Sequence, residues 1–304
     1  MLDVIVLLAL VQDEAVELKW AAEKTDKFDI KWSYDEFNSR IPGQGEKSEL
    51  TDKRLVDAEM TPTDTPGKFD VALKKVAWTY GNNEFTITLT WAAGSKPPVT
   101  AVKMKVDPKA SNAAQAKTFA EQRSEAMKKL VSEGAYALSF DPNSRETYIL
   151  RNGSGARNQS VFDVLFLHSP LPNGTVTNGQ TWKENLERMA FPQLVEVKMM
   201  GCKVSLTGNG AAIKGGFTQP INKASGGARS EVITGSFTFV REFTFAKEGC
   251  LLNSKEEHLL TKKVDAKGDD ADFYRENSSH TIKQAITFKK TSPPKPKEPV
   301  PPKK

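Results

Sequence analysis

Thiols and imidazoles are scarce in this chain of 304 residues, which has two cysteines and three histidines. That excludes a disulfide-built scaffold and a zinc-ribbon module, and it leaves little for a multi-metal centre. No Gly-x-Ser-x-Gly elbow, His-Glu-x-x-His pair or phosphate-cradling Gly-Lys-Ser occurs, so no cofactor is expected. Gly153-x-Gly155 and Gly208-x-Gly210 lack the third glycine of a dinucleotide loop and read as turns. No apolar run is long enough to span a bilayer as a helix. The longest at the N-terminus, Val4 to Val11, would rise only about 12 Å.

The chain also lacks a usable surplus of charge. Its formal net charge is +5, and Lys289 to Lys304 alone holds six lysines and one glutamate, which accounts for all of it. The rest of the chain is neutral, so no basic groove for nucleic acid is expected. Six of the 17 prolines fall in the same tail. Residues 291–304 therefore read as a disordered Pro/Lys segment, its candidate partner an anionic envelope polymer.

What is plentiful is aromatic residues in alternation. Phe28, Ile30, Trp32 and Tyr34 alternate with Asp29, Lys31, Ser33 and Asp35, which predicts a strand with one packed and one wet face. Phe69, Val71 and Leu73 begin another, and Val76, Trp78 and Tyr80 continue it in the opposite phase, so a bulge is predicted at Lys74 and Lys75. Phe85, Ile87, Leu89 and Trp91 return from a turn at Gly81-Asn82-Asn83, and Val102 to Val106 follows.

One helix is predicted from Ser111 to Glu133, with Ala116, Phe119, Ala120, Met127, Leu130 and Val131 on its stripe and Gly134 to end it. Strands resume at Tyr136 and Thr147. Ser160 is placed to cap a short helix through Leu167. Later strands read at Thr181–Met189, Leu194–Leu206, Ala211–Gln219, Glu231–Phe245, Leu251–Leu260 and Thr281–Phe288, with Gly235 and Arg241 interrupting the fourth. The hairpins Tyr136 to Leu150 and Phe237 to Leu260 are built alike, which points to an internal repeat.

The expected fold is therefore α+β and β-dominated: two related antiparallel half-barrel or sandwich-like halves with one long covering helix. The expected organisation is a signal peptide at 1–15, an N-terminal half at 16–168, a linker at 169–180, a C-terminal half at 181–290 and the tail. The run Val4 to Val11 has the length of a secretory core, so an exported, periplasmic or extracellular protein is expected.

Candidate chemistry is thin. In an oxidising compartment Cys202 and Cys250 could form a disulfide. His168, His258 and His280 have no ligand-spaced neighbours and would matter only if the fold brought one to an Asp, Glu, Ser or Cys. Asp265, Asp269, Asp270 and Asp272 have the wrong spacing for a calcium loop. Asn152, Asn158, Asn173 and Asn277 are glycosylation sequons, relevant only in a glycosylating host. The functional expectation is a non-catalytic binding or envelope-structural protein. The alternatives are a carrier of a lipid or other apolar small molecule, which requires a cavity, and an enzyme with a site assembled from scattered polar residues.

At Leu171-Pro172-Asn173-Gly174-Thr175-Val176, followed by Gly179-Gln180-Thr181-Trp182, the chain resembles a linker in uncharacterised exported bacterial β-rich proteins. The resemblance implies two sets of antiparallel strands over about Val16 to Lys290. No activity or functional residue comes with it.

Overall fold

The computed structural model describes residues 15–18, 25–42, 47–65, 68–94, 99–110, 112–132, 136–141, 146–151, 161–162, 167–168, 174–185, 199–207, 210–225, 230–247, 251–267 and 276–291. The alternation of aromatic with charged residues becomes β2 (Phe28–Pro42), β4 (Lys68–Asn82), β5 (Phe85–Ala92) and β6 (Val99–Val106). Between β2 and β4 lies β3 (Ser48–Pro62), a strand that the sequence pattern does not announce. After α1 (Ala113–Ser132) come β7 (Tyr136–Asp141), β8 (Glu146–Arg151) and β9 (Leu167–His168). The second half supplies β11 (Thr181–Asn185), β12 (Met199–Thr207), β13 (Gly210–Ser225), β14 (Ser230–Ala246), β15 (Leu251–Lys267) and β16 (Glu276–Lys290). Two short strands, β1 (Val16–Glu17) and β10 (Thr175–Val176), pair with each other apart from the rest.

The protein is thus β-dominated and antiparallel, with one long helix. The two sets of strands are joined edge to edge in a 14-stranded sheet ordered β11-β12-β13-β14-β15-β16-β2-β3-β4-β7-β8-β9, from which β5 and β6 branch at β4. The seam is β16 against β2, the last strand against the first long one, in unbroken register from Phe28↔Lys290 to Pro42↔Glu276. Asp26 and Lys290 form an ion pair at 2.8 Å at one end of it, where the Thr291 amide also donates to the Lys27 carbonyl.

One face of the sheet is core. A single register row runs Trp182, Cys202, Gly215, Arg241, Glu256, Ile286, Trp32, Val56, Val76, Trp91 across ten strands. Phe237, Phe239, Phe243, Phe245 and Phe288 are buried on rows beside it. Each such ring contributes on the order of 1.5–3 kcal/mol. α1 packs on β5 and β6 through Ala116, Ala120, Met127 and Val131, while Phe119 stays half exposed with its ring tilted against that of Phe85 at 5.6 Å between centroids.

Departures from alternation have structural causes. The register slips between Asp57 and Ala58, leaving Lys74 as the extra residue, so Lys74 and Lys75 both face solvent as the phase change requires. β4 also changes partner there: residues 68–71 pair with β7 and residues 75–81 with β5. Gly235 has φ 157°, and a Cβ there would sit 1.9 Å from the Thr261 carbonyl oxygen, so the strand can continue only with glycine. The short helix expected from Ser160 to Leu167 is not observed at its described positions. Val161 and Phe162 form a bend, because their buried side chains pack onto the sheet, and Leu167 belongs to β9.

Expectations for the signal segment 1–14, the tail 292–304, Cys250, Gly153 to Gly155, Gly208, the sequons Asn152, Asn158 and Asn173, and Asp269, Asp270 and Asp272 fall outside the described residues. No described helix is long and apolar enough to cross a membrane.

Candidate functional site

The packed face is not uniformly apolar. On β3, Asp52 and Arg54 stand two residues apart on the inward side, where strand geometry aims both at the core. Arg54 donates from Nε to Asp52 Oδ1 at 2.9 Å and from Nη2 to Oδ2 at 2.5 Å, a bidentate pair with both side chains buried. Trp78 Nε1 donates to Asp52 Oδ1 at 2.8 Å, and Arg54 Nη1 donates to the Val161 carbonyl at 3.2 Å. The guanidinium lies 4.4 Å from the Trp78 ring centroid and 5.3 Å from that of Tyr34. Each guanidinium nitrogen donates and both carboxylate oxygens accept, which makes the pair a structural clamp on the segment at 161–162.

Two strands over, His280 on β16 places Nε2 2.8 Å from Glu36 Oε1 on β2, and Tyr34 donates its hydroxyl to Glu36 Oε2 at 2.7 Å. The His280 hydrogen bond holds the Glu36 carboxyl below the usual carboxylate range; partial burial opposes this and the Tyr34 hydroxyl adds to it. A carboxylate so placed orients an imidazole, as in general-base dyads. His280 is therefore joined to a carboxylate. His168 pairs in register with Glu146 at β9, and His258 stands between Phe239 and Gln284 in a register row. Among the described residues no group of three or more His, Cys, Asp or Glu could hold a metal. Asp265 lies on β15 opposite Val232, and Asn277 on β16 opposite Ile41. Cys202 is buried on β12 opposite Gly215.

The opposite face carries hollows. A first, of about 330 Å³, has Ser33, Leu55, Ala77 and Ala285 on one register row and Lys31, Asp57, Lys75 and Thr287 on the next. A second, of about 510 Å³, continues from Lys31 and Thr287 over Asp29, Lys289, Lys255, Asn253 and Glu242. Together they reach from β14 to β4, roughly 24 Å at the usual strand spacing. The small side chains of Ser33, Ala77 and Ala285 leave the floor low between longer neighbours. The carrier alternative requires a cavity; the described aromatic face is packed, and these hollows lie on the other side. The signal available was the row of small residues, legible only once the register is known.

The exposed face also carries Lys31, Asp35, Lys53, Asp57 and Lys75. A lipid-facing barrel wall would need an apolar band there. Among the described residues β11 and β9 are unjoined edges.

No family model matches the chain, and no curated protein matches it. Among solved structures it is similar to lipovitellin at 10% identity and TM-score 0.39, over 90% of this chain and 26% of that one. It is similar to an outer membrane channel from Pseudomonas putida F1 at 8% identity and TM-score 0.21, over 89% of this chain and 97% of that one. For the TodX monoaromatic hydrocarbon channel the identity is 7% and the TM-score 0.20, over 90% and 91% of the two chains. The chain spans about a quarter of the lipovitellin chain's length, and likenesses at these scores carry no property over to it.

Proposed function

We propose that this chain is an exported, non-catalytic binding protein that takes a small apolar or amphiphilic molecule on the outer face of its sheet. The observation that carries the reading is the pair of adjoining hollows, about 330 and 510 Å³, sizes that suit a small-molecule site. The core-like packing of the aromatic face supports the same assignment, since a ligand there would have to displace buried rings. Export rests on the apolar run Val4 to Val11. Ala285→Trp fills the floor of the first hollow. It should abolish binding of an apolar fluorescent dye to the full chain while the thermal midpoint stays within a few degrees. Unchanged dye binding would count against the site, and mass spectrometry of the mature protein from culture fractions tests export.

A second reading, catalysis, is favoured by the Tyr34–Glu36–His280 chain of hydrogen bonds. Its test is a screen of ester and phosphoester substrates against the parent and His280→Gln. Turnover that the variant loses would establish it, and turnover equal in both would end it.

A further inference from the structure

Resting on the outer-face reading, we propose that the hollows select an anionic single-chain amphiphile, a free alkyl carboxylate, with its head at Lys31 and Lys75 and its chain along the Leu55 floor. The charges argue for the sign. The second hollow's two lining carboxylates are already neutralised from outside it, Asp29 by Lys74 at 3.0 Å and Glu242 by Lys214 at 3.1 Å. Lys255 is paired with Glu257 at 3.1 Å. Lys31 and Lys75 form no ion pair among the described residues, although Asp57 stands between them in register. The lining therefore keeps a positive surplus at the boundary between the hollows, where an anion would be attracted.

The bulge in β4 explains how two adjacent lysines come to divide the work. Both point outward; Lys74 is held by Asp29 and by Glu59 at 3.0 Å, which leaves Lys75 at the hollow's rim. The floor argues for the chain. Leu55 is 61% exposed in the middle of a charged face, between Ser33 and Ala77 on its register row. An alkyl chain laid across the strands would cover this leucine and meet no buried polar group.

The test titrates the full chain by calorimetry with dodecanoate, dodecyltrimethylammonium and dodecyl maltoside, each below its micelle concentration, repeated with Lys31→Gln/Lys75→Gln and with Leu55→Asp. These side chains are exposed, so a thermal midpoint near the parent's is required of each variant. The expected result is one saturable site for dodecanoate, about tenfold weaker for the cation. The lysine variant should lose that preference and Leu55→Asp should weaken every probe. Equal binding of all three probes, untouched by the lysine changes but weakened by Leu55→Asp, would overturn the anion assignment and leave the outer-face site standing. Saturable binding by none of them, or binding indifferent to Leu55, would overturn both.

Discussion

At the scale of single residues, the clearest contrast is between ion pairs in the core and ion pairs on the surface. Asp52 and Arg54 are buried and mutually saturated, so removing one partner strands the other charge and the Trp78 N–H together. Asp52→Ala should cost about 3–5 kcal/mol in denaturant unfolding, whereas Lys74→Ala, at an exposed pair, should cost under about 1 kcal/mol. Glu36 adds a pH dependence whose sign follows from its depressed pKa. Its stabilisation is fully present above the ordinary glutamate value and is lost as the pH falls through the lowered one. Glu36→Gln should therefore be less stable than the parent at neutral pH, and the gap should close in acid. Chemical unfolding at a series of pH values from neutral downward reads this directly, and a gap that widens in acid would refute the assignment. The same residues explain why β3 was illegible. Its inward positions include Asp52 and Arg54, which break the apolar alternation, and only Val56, Ala58 and Met60 keep it. The buried pair that gives the site its polarity is what hid the strand.

At the scale of elements, phase was readable and partnership was not. The change of phase between Leu73 and Val76 announced the bulge at Lys74 because inward and outward positions must alternate. That the sheet forks at the same place could not be read, since β5 returns through the adjacent turn but β7, which takes residues 68–71, lies far along the chain. Deleting Lys74 would restore strict alternation and leave every inward residue inward. It would also straighten the strand and remove the extra twist that separates the two partners. The shorter of these ladders, with β7, should suffer. Hydrogen exchange should show β7 and β8 amides losing protection by about tenfold, roughly 1.4 kcal/mol, while β2 and β3 keep theirs. Equal protection throughout would mean that the fork does not depend on the bulge. The helix shows the converse case. Its stripe placed Ala116, Ala120, Met127 and Val131 correctly, while Phe119 was expected in the core and is instead half exposed at the margin.

For the whole molecule, the seam decides what counts as a unit. Turn-forming residues around Leu171 to Gln180 interrupt the alternation, and on that ground the sequence reads as two sets of strands. Their joining in one sheet was not legible, because nothing local in β2 or β16 specifies that the first long strand pairs with the last. Separating the chain into 16–168 and 181–290 would expose β2 on one piece and β16 on the other, each a long edge with a full row of unpaired backbone groups and an apolar inner face. Neither piece should be stable alone. Co-expressed, with an affinity tag on one, they should co-purify as a soluble complex, because fifteen consecutive register pairs remain to be made between them. Either piece alone behaving as a monomer with a cooperative thermal transition would show that the halves are independent domains. The same seam requires β16 to find β2 across a sequence separation of more than two hundred residues, so refolding of the intact chain should be slow and concentration-sensitive. Substituting proline for Ser33, whose strand neighbours are Ala285 and Leu55, should slow it further by weakening the β16–β2 ladder that joins the halves and the β2–β3 ladder beside it.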